Sequence, residues 1–212
     1  MARKPEGDKR RQILDAAVTV FAQKGYFTAR ISDIASSAGV ADGTIYLYFK
    51  NKEDIIASLF SHVIEGHMTR AKEEIASART PRQKLLAIAR HQLTALSERR
   101  DVAILFQTEL RQATLMSRIS SKELRGYFDL LSGVIEEGQK QGAFRPEIPR
   151  SLVVQSFFGA LDELVTAWIL SPTNYNLVQL AEPVTDLFLG GLDQTPHRSR
   201  TKRLAPRGER KQ

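Results

Sequence analysis

Residues 25–54, GYFTARISDIASSAGVADGTIYLYFKNKED, read as two short helices across a tight turn, with a third helix starting straight after. Ile34 and Ala35 give the first short helix an inward face, and Gly39-Val40 supplies the turn. Ile45 and Phe49, four apart, give the second its inward face. That second helix turns Thr44, Tyr46, Leu47 and Tyr48 outward, and Lys50 and Lys52 follow at its end. Apolar and aromatic side chains facing water beside two lysines suit a polyanionic partner. A helix-turn-helix that enters the major groove of DNA needs this arrangement.

Upstream, Asp8 is placed to cap a first helix running to about Lys24, with Ile13, Ala17, Val20 and Phe21 as its apolar stripe. Gly25 ends it. The predicted core of this three-helix unit is Ile13, Ala17, Phe21, Ile34, Ala35, Val40, Ile45 and Phe49. Downstream, Asn51 caps a long helix from Lys52 to about Ala78 that links two domains, with Glu53 and Asp54 in its first turn. Thr80-Pro81-Arg82-Gln83 combines an N-cap, a proline at the first position and a capping-box glutamine, starting a helix to about Ser97. Two more are expected, from about Asp101 to Arg111 and from about Leu115 to Gln141, the latter closed by Gly142. Arg and Lys crowd the chain beyond Gln194, so a disordered basic tail is expected there.

Residues 150–170 carry two apolar faces, one through Val153, Phe157, Leu161, Leu164 and Trp168, the other through Val154, Phe158, Val165 and Ile169. Two faces need two partners. With the last helix, about Asn176 to Leu192, this predicts a self-complementary four-helix dimer interface built on Val154, Leu161, Val165, Val184, Leu187 and Phe188. A broad core within one subunit is the alternative. Pro183 either kinks the last helix or marks its start. No strand pattern occurs, so the fold class is all-α.

Across 212 residues there are no cysteines, which removes disulfides, thiolate chemistry and cysteine zinc sites. His62 and His67, five apart, fall on different helix faces, so no metal site is expected. No uninterrupted run of about 18 apolar residues suggests a membrane span, and the charged start lacks a secretory h-region. A cytoplasmic location follows as the expectation. The net charge of +7 is uneven: residues 1–11 carry +3 and residues 198–212 carry +6, leaving the body between them slightly acidic. Basic ends suit DNA, and equally suit a solvated tail.

The segments ILDAAVTVFAQKGY, ISDIASSAGV and GTIYLYFKNKEDI resemble the DNA-binding domain of the TetR family of bacterial transcriptional regulators. The resemblance covers the first 55 or so residues closely, and the remainder more loosely through GVIEEGQKQGAFRPE. It implies about nine helices, a homodimer and a palindromic double-stranded operator. The domains would be 1–54 for DNA binding, 55–193 for ligand binding and dimerisation, and 194–212 as tail. Carried over to this chain, Gly43 and Thr44 open the recognition helix, and Tyr46 and Leu47 face the groove. Tyr48 and Lys52 would hold phosphates, fixing register rather than reading sequence. Arg30 and Ser32 would face the DNA backbone. Two positions depart from the family pattern. Ala29 stands where Ser or Thr is common, so Thr28 or Arg30 would anchor the helix after it. Asp42 is acidic beside expected phosphates, and points away on this reading.

A nearer resemblance, through ADGTIYLYFKNKEDI, TELRQ, GYFDLLSGVIEEG and LDELVTAW, is to the TetR-type repressors of fatty-acid degradation that respond to long-chain acyl-CoA. It implies an acyl tunnel in the C-terminal bundle, with no cofactor beyond that effector. The tunnel would be lined here by Leu105, Phe106, Leu110, Tyr127, Leu131, Phe158 and Trp168. Arg111, with Arg99 or Arg100, would meet the CoA phosphates. Stripes at this spacing also make ordinary core. Two other readings remain: a TetR-type repressor sensing another hydrophobic molecule, and a constitutive DNA-binding protein with no effector. An enzyme fits poorly. There is no glycine-rich phosphate loop, and the adjacent Asp162 and Glu163 project to different helix faces.

Overall fold

The computed structural model describes residues 6–109, 121–173 and 175–193. Nine α-helices lie among them: α1 (Glu6–Lys24), α2 (Ile31–Ser37), α3 (Asp42–Tyr46), α4 (Lys52–Ser77), α5 (Pro81–Glu98), α6 (Arg100–Glu109), α7 (Ser121–Lys140), α8 (Arg150–Leu170) and α9 (Ala181–Leu192). A 3-10 turn, Leu177–Leu180, precedes α9. The all-α expectation therefore holds for the described residues. The expected tail and residues 110–120 lie outside them.

Local chemistry accounts for most helix boundaries. Asn51 Oδ1 accepts from Asp54 N at 2.8 Å while Asp54 Oδ2 accepts from Lys50 N at 2.9 Å, so the start of α4 is capped from both sides. Thr80 and Gln83 form the expected capping box on α5. Gly39 takes φ +63° in the turn between α2 and α3, a conformation open to glycine at little cost. Asp8, expected as a cap, is the third residue of α1 instead, because the helix begins at Glu6. Pro183 sits in the first turn of α9, where a missing N–H costs nothing, so it marks the start rather than a kink.

Two cores form. The first joins α1, α2 and α3 to the beginning of α4, with Phe21, Ile34, Ile45, Phe49 and Phe60 almost fully buried; Val40, expected inside, is half-buried at its edge. Val102 and Leu105 of α6 belong to this core as well, so α6 is the bracket between the N-terminal unit and the bundle. Burying one such large apolar side chain stabilises by about 1.5–3 kcal/mol. The second core is the bundle of α5, α7, α8 and α9 with the distal half of α4.

α8 corrects the expected dimer residues. Val154, Leu161 and Val165 are buried within the subunit's own bundle. Val184 and Phe188 are half-buried, Phe188 lying edge-on to Phe157 at 5.1 Å, and only Leu187 is openly exposed, at 81%. The β-branched and aromatic side chains of both apolar faces are thus consumed inside. The exposed stripe of α8 is Leu152, Ser156, Gly159, Glu163, Ala167 and Leu170, three small residues and one glutamate between two leucines. α8 also has mean hydropathy 1.4, enough by length and composition for a membrane span. Counting uninterrupted apolar residues misses this, because Gln155, Asp162 and Glu163 break the run. In the fold it is a bundle helix.

Gly138 on α7 is fixed by packing. A Cβ there would overlap the ring of the fully buried Phe144. Gly138→Ala should cost about 2 kcal/mol by overpacking, lowering Tm by roughly 6 °C for a chain of this size. A thermal melt within 1 °C of the parent would contradict the close approach.

Candidate DNA-reading face and ligand cavity

Three contacts hold the reading face together. Lys24 Nζ meets Asp33 Oδ1 at 2.7 Å, and Asp33 Oδ2 accepts from Arg30 N at 2.9 Å. The Lys24 bond, then the Arg30 N–H, hold the Asp33 carboxyl below its usual range. This carboxylate, and not the side chain of Thr28 or Arg30, anchors the start of α2. Gln12 Nε2 donates to Ala38 O at 2.8 Å, tying α1 to the turn.

The third contact overturns an expected role. Lys52 Nζ donates to Tyr26 O at 2.8 Å, Phe27 O at 3.1 Å and Ala29 O at 2.9 Å, and lies 4.6 Å from the Tyr26 ring centroid. An ammonium has three protons, and all three are engaged. Lys52 therefore clamps the loop between α1 and α2 to the start of α4 and has no donor left for a phosphate. Lys50 beside it is exposed.

Of the other expected DNA residues, Arg30, Ser32, Gly43, Tyr46 and Leu47 are exposed, Tyr46 at 58% and Leu47 at 81%. Thr44 and Tyr48 are half-buried, Tyr48 packing on the N-terminal core. Asp42 is exposed in the first turn of α3. Phe27, 69% exposed on the clamped loop, was not expected. No periodicity marks a loop residue. Thr44→Ala should change the order of preference among operator variants while changing total affinity little, if its hydroxyl reads a base edge. An unchanged ranking on a binding array would remove that role.

In the bundle, α4 to α8 line a cavity of about 260 Å³ that is open to the surface on one side. α4 supplies Val63, Ile64, His67, Met68 and Ala71; α5 supplies Ile88, His91, Gln92, Ala95 and Leu96. Phe106, Gln107, Tyr127, Phe128, Leu130, Phe158 and Asp162 complete the wall. Phe106, Tyr127 and Phe158 were expected there. Leu105, Leu131 and Trp168 do not line it. Leu105 turns to the N-terminal core, Leu131 is buried in the bundle core, and the Trp168 indole donates to Tyr175 O at 3.1 Å. Leu110 and Arg111 lie outside the described residues. Arg99 pairs with Asp101 at 3.0 Å, while Arg100 bonds Ile169 O at 2.8 Å and covers the Trp168 ring at 4.6 Å. Both arginines are exposed, and these bonds leave each of them guanidinium N–H donors to spare.

The polar groups of the wall mostly satisfy one another. The Tyr127 hydroxyl donates to Gln92 Oε1, and Gln107 Nε2 donates to Asp162 Oδ1 at 2.6 Å. Burial, then the Asp162 carboxylate, push the Tyr127 phenol up. His67 is pushed down by burial and, secondarily, by His91 and Arg70.

Residues 13–59 match the family described as bacterial regulatory proteins, tetR family, and residues 60–191 match the YsiA-like C-terminal region. The chain belongs to the TetR family of bacterial transcriptional regulators. It is 40% identical over 190 residues to the fatty acid metabolism regulator protein of Bacillus subtilis, covering 89% of this chain and 98% of that one. The crystal structure of Bacillus subtilis FadR in complex with stearoyl-CoA superposes with a TM-score of 0.82, covering 85% of this chain and 98% of that one. The fatty acid degradation regulator FadR of Bacillus halodurans is 41% identical, with a TM-score of 0.81 over 86% of this chain and 98% of its own. The ketosteroid regulator of Mycobacterium tuberculosis, at 21% identity and TM-score 0.72, shares the fold.

Proposed function

We propose that this TetR-family regulator is a dimeric, cytoplasmic repressor of fatty-acid degradation genes, released from a palindromic operator by long-chain acyl-CoA. One observation carries the reading: five side chains of α4, the helix that begins at the DNA-binding unit, form a wall of the apolar cavity. A ligand that fills the cavity touches that helix directly. The relative solved with stearoyl-CoA supplies the chemical class. Residues 1–54 read DNA, residues 55–193 bind ligand and partner, and residues 194–212 form a basic tail.

Two recognition helices must sit about 34 Å apart to meet successive major grooves. An acyl chain that fits the cavity better when α4 is displaced lowers operator affinity by its difference in affinity for the two states, and by no more. The DNA-facing set is Arg30, Ser32, Gly43, Thr44, Tyr46, Leu47 and Tyr48, with Lys52 holding their scaffold. The protein binds and does not turn its effector over. Mass spectrometry of the natively purified dimer tests the effector class. A copurifying acyl-CoA is expected, and a hydrophobic molecule of another class in its place would overturn that part of the reading.

The dimer face is the exposed stripe of α8 with Leu187 of α9. Its small residues let two helices approach closely, and the leucines supply apolar area at the ends. Leu187→Glu combined with Gly159→Arg should give a monomer by analytical ultracentrifugation at micromolar concentration, because each buries an unpaired charge on association. A persistent dimer would move the interface elsewhere.

A further inference from the structure

Most polar atoms around the cavity are bonded to protein, but His91 is not fully satisfied. Its side chain is only 10% exposed, and Nδ1 lies 3.1 Å from Oε1 of Glu74, whose own side chain is half-exposed. Its other nitrogen, Nε2, is buried with no hydrogen-bond partner. A carboxylate only accepts, so in its neutral form the ring carries its proton on Nδ1 and leaves a lone pair on Nε2. A buried acceptor without a donor is unfavourable. His67 packs edge-on against this ring at 5.9 Å, and burial pushes its imidazole below the usual range. Tyr127 and Gln107 already spend their donors on Gln92 and Asp162. Both histidines line the cavity.

We propose that His91 Nε2 accepts a hydrogen bond from an O–H or N–H group of the bound effector, so that the cavity recognises an acyl thioester by a donor near its head as well as by its chain. This rests on the acyl-CoA reading above. Two sources supply such a donor: a hydroxyl on the acyl chain close to the thioester, or an amide N–H of the pantetheine arm. The apolar wall sets which molecules enter, and His91 then sets how far the head penetrates.

The test is titration calorimetry of the full chain with palmitoyl-CoA and with 3-hydroxypalmitoyl-CoA, in the parent, His91→Phe and His91→Gln. Glutamine keeps an acceptor near the position of Nε2, and phenylalanine keeps the shape of the ring. If the hydroxyl is the donor, the parent binds the hydroxylated thioester about fivefold tighter. His91→Phe then abolishes the difference and His91→Gln keeps it. If the arm is the donor, the parent binds both alike, His91→Phe weakens both about fivefold and His91→Gln restores them. Unchanged Kd values in His91→Phe would overturn the inference, as would a loss that His91→Gln fails to restore. In both cases the parent still binds, so the effector reading stands. A parent that bound neither thioester would overturn the effector reading and this inference together.

Discussion

Lys52→Met should destabilise the N-terminal unit by about 3 kcal/mol, since hydrogen bonds to a charged donor are worth roughly 1.5–3 kcal/mol each and the side chain is partly solvated. Three carbonyls, those of Tyr26, Phe27 and Ala29, lose their donor together. Tm should fall by roughly 9 °C. Operator affinity should fall for every sequence alike, because the loop before α2 and the start of α4 no longer hold one another. The dependence of affinity on salt should keep its slope for the fraction that is folded. A phosphate contact would behave in the opposite way, with Tm unchanged and the slope smaller by about 0.9. Calorimetric melting with operator titrations at three salt concentrations separates the two.

Ala95→Phe should leave a repressor that its effector cannot release. Ala95 lines the cavity and is 7% exposed, so a phenyl ring at that position projects into space the ligand needs. Displacing three or four methylenes of chain loses about 2.8 kcal/mol at ~0.8 kcal/mol each, a roughly hundredfold loss in acyl-CoA affinity. Operator binding without ligand should persist, since the ring fills a void rather than replacing packed atoms. Acyl-CoA release at the parent's concentration would show that the effector binds elsewhere.

Local features were legible in the sequence. The caps at Asn51 and Thr80, the turn glycine Gly39 and the inward pairs Ile34-Ala35 and Ile45-Phe49 act within a few residues, and the structure repeats them. Lys52 was not legible, because its partners lie 23 to 26 residues away and are backbone carbonyls, which no residue type advertises. The cavity was legible only in part. Apolar periodicity reports which side chains face inward but not where the inward faces fail to meet. Phe106 and Leu105 are neighbours on α6, yet one lines the void and the other closes the junction with the N-terminal unit. The α4 wall, Val63 to Ala71, goes unmarked for the same reason. On α8 the expected dimer residues Val154, Leu161 and Val165 are used by the subunit's own bundle, because periodicity shows that a face is apolar but not which partner covers it.

A long-chain acyl thioester in the bundle cavity and the operator compete through α4. Fluorescence anisotropy of a labelled operator, bound by the dimer and titrated with palmitoyl-CoA, tests it most directly. The expected result is saturable release, at a thioester concentration that rises roughly a hundredfold in Ala95→Phe. Saturation of the cavity by palmitoyl-CoA with the operator still fully bound would contradict it.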